Sequence, residues 1–160
     1  MNAYPLGPLL RLRIFRQDKA MRALQVCEKR LVEARRGVKK AVERHEAFLV
    51  WLAREEEARY DRIMETSMTL EDIEDFKIGL LALRARESSY LEDILKAKHQ
   101  LRECEDALVG AKADLLAAQK GTIKIETHKE RWLEVEKLEA QRAEELELED
   151  FRRPEELFPL

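Results

Sequence analysis

The stretch METSMTLEDIEDF, residues 64–76, decides how this chain folds. Thr69 carries the short hydroxyl side chain that accepts from the first free N–H groups of a helix. Glu71 and Asp72 add negative charge where the helix dipole is positive. A helix therefore starts near Leu70, the preceding one ends near Thr66, and residues 67–69 form the turn. So short a break makes the flanking helices antiparallel neighbours.

Both flanks carry the apolar pattern such a hairpin needs. Stepping alternately four and three residues from Ala20 passes through Leu24, Cys27, Leu31, Ala34, Val38, Ala41, His45, Phe48 and Leu52, with His45 the only exception. From Ile73 the same stepping reaches Ala118 through Leu80, Leu83, Tyr90, Leu101 and Cys104, with Glu87 its one charged member. Ladders of this length are the a/d seam of a coiled coil. Facing residues of an antiparallel pair have numbers that add to a constant, and a constant of 135 centres the fold-back on Ser67–Met68. It sets Leu31 against Cys104 and Ala34 against Leu101, a larger aliphatic against a smaller residue in each layer. A constant of 142 also alternates sizes, but it moves the turn into the helix that Thr69 caps. In the 135 register helix 1 runs out opposite Ile125. The sequence EVEKLEAQRAEELELEDF (134–151) keeps helix 2 going, so about 25 residues overhang.

The expected architecture is all-α, an antiparallel two-helix coiled-coil hairpin with helix 2 overhanging. Its parts are a flexible N-terminal tail (1–8), helix 1 (9–66), the turn (67–69), helix 2 (70–150, overhanging from about 126) and a flexible C-terminal tail (151–160). Composition agrees. All four prolines lie in the tails, leaving 145 consecutive residues, Leu9 to Arg153, without one, as long helices require. Cys27 and Cys104 stand alone, with neither zinc-site nor disulfide-framework spacing, which fits a reduced cytosolic setting. The N-terminus MNAYPLGPLLRLRIF has arginines breaking its apolar run and no small-residue cleavage site, and no segment approaches a membrane span. A soluble intracellular protein is expected.

Against this polar background FLVWL, residues 48–52, puts five apolar residues in a row. Successive residues turn about 100° around a helix, so five cannot all face one seam. Phe48 and Leu52 are at seam positions, while Val50 points outward at f and Trp51 flanks at g. On helix 2, Ile78 and Ala85 are at f and Leu81 at b, an apolar stripe outside the seam. By the 135 register both sets lie in the half of the hairpin nearest the turn. Val50, Trp51, Ile78 and Leu81 are therefore candidate partner-binding residues, unless helix 1 slips phase after Leu52 toward Tyr60 and Ile63 and buries Trp51. In the overhang Trp132, Val135 and Leu138 recur every three residues without an opposing helix, a second candidate surface. The tail residues Leu157, Phe158 and Leu160 are further candidates for docking, the alternative being that they stay disordered.

Sites for chemistry are not indicated. No glycine-rich phosphate loop is present, His99 and His128 are isolated, and His45 reads as a tolerated polar residue in the seam. No catalytic residue, cofactor or metal is expected. Residues 1–46 hold twelve Lys/Arg against five Asp/Glu, and residues 126–160 hold six against twelve, an asymmetry that can orient partners. The basic residues of the first helix are interleaved with Glu and lack an aromatic stacking platform, so nucleic acid is not the expected partner.

The length, the hairpin turn two fifths along the chain, the arginine-rich LRLRIFRQDKAMRAL, the TSMTLEDIEDF turn and the acidic helical C-terminus together resemble the central stalk proteins of bacterial type III secretion systems. These form the YscO (SctO) family, whose flagellar counterpart is FliJ. The resemblance implies a non-enzymatic two-helix rod, like the γ stalk of rotary ATPases, at the cytoplasmic base of a virulence-associated secretion apparatus. Its partners would be the pore of the hexameric secretion ATPase at the terminal end, the cytosolic ring of the export gate along its flank, and export chaperones. A largely monomeric chain is implied. The alternative is a generic coiled-coil scaffold or tether that homodimerises through Trp51, Leu81 or the overhang.

Overall fold

The structure, a computed structural model, describes residues 2–156, with side chains described for residues 2–152. Its elements are α1 (Gly7–Glu65), α2 (Leu70–Ala85) and α3 (Glu87–Glu156). They form the antiparallel helical hairpin, α1 in one arm and α2 with α3 in the other. By packing the chain divides into two units, Leu24–Gly110 and Met1–Ala23 with Ala111–Leu160.

In the unit Leu24–Gly110 the turn is built as its residues dictate. The Thr66 hydroxyl donates to the Arg62 carbonyl at 2.9 Å and closes the last turn of α1. Thr69, in extended conformation, then caps α2 reciprocally. Its hydroxyl accepts from Asp72 N at 3.2 Å and its own N–H donates to Asp72 Oδ2 at 3.1 Å. Two otherwise orphaned donors are satisfied by one pair of side chains.

The second arm is interrupted once. At Arg86 the backbone keeps right-handed helical angles (φ −63°, ψ −24°), but its N–H reaches back only three residues, to the Leu83 carbonyl at 3.2 Å. Further on, the Ser88 hydroxyl donates to the Ala85 carbonyl at 2.8 Å, the acceptor an α-helix would give to Ser89 N–H, and that N–H bonds the Arg86 carbonyl at 3.2 Å instead. The helix tightens for one step and resumes at Glu87.

The seam follows the 135 register. Leu31, Ala34 and Cys104 make one buried cluster with Leu101 and Leu108, and Phe48, Leu52 and Leu83 make another with Tyr90. The two ladder exceptions meet each other, as His45 Nε2 lies 3.0 Å from Glu87 Oε1. The register would have set His45 opposite Tyr90 and Glu87 opposite Phe48. The structure crosses these partners, so that Phe48 stacks on Tyr90 at 4.6 Å and the two polar groups pair. Hydrogen bonding explains the exchange, because either group left against an aromatic face would be desolvated without a partner. Both cysteines are free thiols, Cys104 buried and Cys27 half-buried.

In the second unit the seam contains Ala111, Leu115 and a buried Thr122 whose hydroxyl donates to the Ala118 carbonyl at 3.1 Å. Arg13 occupies a seam position and lies over Gly121, where a Cβ would stand 2.9 Å from its guanidinium. A Cβ there would have to push the far end of the Arg13 side chain aside. Arg13 Nε is buried without a hydrogen-bond partner.

Several expected boundaries shift. Residues 2–6 do not simply trail from the helix. Gly7 and Pro8 already belong to α1, as proline's fixed φ suits a first turn, and Tyr4 packs its ring against Trp132 and His128. Pairing thus reaches past residue 126, and the overhang starts after Trp132. α3 extends through Pro154 to Glu156 rather than stopping near residue 150. Leu157, Phe158 and Leu160 lie outside the described residues. Among those described, no helix is long and apolar enough to cross a membrane.

Two helices bury little. Even Leu83, the most enclosed seam residue, keeps 4% of its surface in water. Leu31→Ala should therefore cost about 2 kcal/mol, the low end for a core leucine, while Val32→Ala beside it, on the exposed face, should stay within about 0.5 kcal/mol. Urea titrations followed by circular dichroism would measure both. Gly37 and Gly110 have open space where a Cβ would go. Alanine at either should raise stability by about 0.5–1 kcal/mol, whereas Gly121→Ala, which must displace the Arg13 guanidinium, should gain less. In a double-mutant cycle His45→Ala and Glu87→Ala should show a coupling of about 1 kcal/mol. Additive costs would mean that the contact at 3.0 Å contributes nothing.

Candidate interaction surfaces

FLVWL divides as helical geometry requires. Phe48 and Leu52 are buried, while Val50 is 55% and Trp51 42% exposed. Past Leu52 the continuing seam position Arg62 is exposed while Ile63 is half-buried and Tyr60 packs edge to face on Phe76 at 5.2 Å, so helix 1 drifts toward Tyr60 and Ile63 without burying Trp51. Trp51 is not wholly unsupported, for its ring leans on Phe48 at 5.9 Å. Tyr90, Phe48 and Trp51 thus form an aromatic row from inside the seam to its rim.

That rim borders an open groove of about 460 Å³ lined by Arg44, Ala47, Phe48, Trp51, Arg86 and Tyr90. The heptad explains the grouping. Arg44, Trp51 and Arg86 are all g residues, and in an antiparallel coiled coil the g positions of the two helices flank the same side of the seam. The opposite flank is formed by e residues, where Arg84 Nε donates to Glu56 Oε1 at 2.7 Å. The hydrogen bond to Glu56, and then its charge, raise the Arg84 pKa above the ordinary guanidinium value.

Ile78 (65% exposed) and Leu81 (63%) lie outside the groove. Val50 at f on α1 and Ile78 at f on α2 point away from the seam in opposite directions, and Leu81 at b belongs to the e flank. The four residues expected to share one patch near the turn are therefore distributed over separate faces. Their exposure stands, but their grouping does not. Leu95 and Val109, at the same heptad position as Leu81, extend its stripe along α3.

In the other unit, Trp132 meets Tyr4 edge to face at 5.4 Å and is half-buried. The Tyr4 hydroxyl lies 2.6 Å from His128 Nδ1. Trp132 is thus not a bare overhang residue. Val135 and Leu138, one and two turns further on, are exposed. Each histidine has a partner: His45 has Glu87, His99 has Glu103 and His128 has Tyr4. Among the described residues no group of three His, Cys, Asp or Glu side chains is placed to hold a metal ion.

Sequence reasoning missed Arg44, Arg86 and Tyr4. The first two were readable from the heptad, since Arg44 stands one repeat before Trp51 and both share their position letter with Arg86. Tyr4 was readable from the register, which sets it opposite residue 131, but the prolines on either side of the helix start argued for a tail.

The family model for the type III secretion protein YscO matches residues 6–154. The Yop proteins translocation protein O of Yersinia pseudotuberculosis is 27% identical over 108 residues, covering 63% of this chain and 68% of that protein. Among solved structures, the type III secretion protein YscO from Vibrio parahaemolyticus superposes with a TM-score of 0.83 at 25% identity, covering 91% of this chain and 92% of that one. A YscO homologue from Chlamydia trachomatis shares the fold, with a TM-score of 0.78 at 20% identity over 98% of this chain and 96% of its own. The match runs from the residue before α1 to the proline in its last helix, so the chain belongs to the YscO family of type III secretion proteins.

Proposed function

We propose that this chain is the stalk of its secretion system, joining the hexameric export ATPase to the cytosolic ring of the export gate. The observation that carries the reading is the helical hairpin itself, which leaves large apolar and aromatic side chains outside its seam. A two-helix seam has no interior for a substrate, so what such a fold offers is surface, and surface of this composition suits protein partners. The half nearest the turn, with Trp51, Val50, Ile78 and Leu81, is assigned to the gate. The half holding both termini, with its acidic α3 end and exposed Val135 and Leu138, is assigned to the ATPase. Export chaperones are a further class of partner, and the chain acts as a monomer without catalysis of its own, at the cytoplasmic base of the apparatus. The exposed stripe of Leu81, Leu95 and Val109 favours a second reading, a tether that homodimerises along that face.

Sedimentation velocity separates the two readings. A stalk remains monomeric at tens of micromolar and co-sediments with the ATPase hexamer at less than one chain per subunit, whereas a tether dimerises without it. Replacing Trp51 and Leu81 by Ser gives a sharper test. Trp51→Ser forfeits the contact with Phe48 and should cost about 1 kcal/mol, and Leu81→Ser should cost no more than about 0.5 kcal/mol. The double variant should keep its helical circular dichroism and lose both gate binding and support for secretion. A fall in melting temperature far beyond these costs would make Trp51 a core residue. Normal melting with normal secretion would leave the surface without a role.

A further inference from the structure

Arg44 and Arg86 frame the groove at Trp51, and neither forms an ion pair among the described residues, although cations nearby do. Arg84 is held by Glu56, Arg59 by Glu55 and Lys39 by Glu43. The sequence leaves Arg44 and Arg86 alone by construction. Residues three and four away from Arg44 are Lys40, Ala41, Ala47 and Phe48, and those around Arg86 are Ala82, Leu83, Ser89 and Tyr90, so no helical neighbour supplies a carboxylate. Lys40 and Arg54, at the c positions bordering Arg44 and Trp51 on α1, add further positive charge. Asp93 is the single acid at the corresponding c and g positions of the facing helix from Ala82 to Lys96.

Between the arginines lies an aromatic floor. Phe48 is buried, Tyr90 stacks on it and Trp51 caps the row while keeping 42% of its surface in water. Trp, Tyr and Arg around a recess are the residue types that most often carry binding energy at protein interfaces. A guanidinium pairs best with a carboxylate, two parallel N–H donors meeting two oxygens. We infer that this groove takes an acidic segment of a partner protein, with one apolar side chain seated on Phe48, Trp51 and Tyr90 and carboxylates on either side of it held by Arg44 and Arg86. The inference rests on reading the turn-proximal half as a docking surface, and it names the chemistry of what docks there. A nucleic acid would stack along a series of exposed rings, whereas here one ring is exposed and the others are recessed.

The test uses the full chain carrying Trp132→Phe, so that Trp51 is the only tryptophan. The probe is a synthetic amphipathic helix of about 16 residues with a central Phe and Glu three and four positions to either side, compared with its Gln counterpart. The Glu peptide should shift Trp51 emission to the blue and bind at least about tenfold tighter than the Gln peptide at low salt, with the difference shrinking as salt screens the charges. Arg44→Gln with Arg86→Gln, checked for unchanged melting, should abolish the discrimination. Equal binding of the two peptides, discrimination that survives loss of both arginines, or tighter binding of an oligothymidylate would each overturn the inference. So would arginine-dependent self-association of the chain that excludes the peptide. The gate ring domain then separates this inference from the stalk reading. If the ring binds the wild type and the arginine variant equally and the peptides are not discriminated, the inference fails and the stalk reading stands. If the peptides are discriminated and the ring does not bind at all, the inference stands and the gate assignment fails.

Discussion

A heptad seam is built to slide, because moving one helix by seven residues presents the same kind of side chain to the same kind of hole. What prevents it here is the His45–Glu87 contact at 3.0 Å. In the 142 register Glu87 would stand opposite Glu55, and His45 would face Ala97. A carboxylate would be pressed toward a like charge, and an imidazole would be left with a methyl group. Only near the 135 register do the two polar intruders find each other. A polar pair in an apolar seam contributes less to stability than leucines in its place, and its value lies in choosing one register over another. The capped turn makes the same choice independently, since Thr69 and Asp72 can close their reciprocal hydrogen bonds only if α2 begins at Leu70. Two short-range devices therefore set every long-range pairing, including the alignment of Arg86 with the Arg44–Trp51 side of α1.

The thinness of the seam has a second consequence. Because only a and d residues are enclosed, a residue one position away already meets water, and the e, f and g places must be polar or must have other work. Phe48 shows how the two zones connect. It is buried in the seam, yet it touches both Tyr90 across the interface and Trp51 at the rim. The core of this half and its most accessible aromatic thus share one ring, so a ligand that orders Trp51 presses on the packing of the hairpin itself.

Much of this was legible beforehand because coiled coils obey a short code. The ladders, the turn, the cap and the 135 register need nothing but spacing and side-chain type, and the clusters around Leu31 and Phe48 follow them. Three features escaped. The crossed pairing of His45 and Phe48 depends on hydrogen-bond satisfaction between layers, which a rule for facing residues omits. The tightening around Arg86 involves Ser88, whose hydroxyl takes the Ala85 carbonyl that Ser89 N–H would otherwise use. The docking of Tyr4 depends on a segment whose prolines argue for a tail, although the register carries it opposite residue 131. The candidate surface was half legible, since exposure could be read from position letters, but the letters also say which exposed residues share a flank. Applied to Trp51 and Leu81, they place the two apart and bring Arg44 and Arg86 to Trp51.

That separation narrows what can bind. Near the turn one flank offers an aromatic recess between two arginines that form no ion pair among the described residues, and the other offers an aliphatic stripe through Leu81 beside the Glu56–Arg84 ion pair. A partner lying against one side of the hairpin reaches one of these surfaces, because the two helices, each about 10 Å across, stand between them. A partner that uses both must approach from two sides, either as two molecules or as one assembly that encloses the hairpin. A ring is the simplest body that meets both flanks at once, and its subunits need not make identical contacts. An acidic segment from one subunit can enter the arginine groove while an apolar surface from another covers the stripe. In such an arrangement the chemical difference between the flanks gives the hairpin a defined orientation within a symmetric partner.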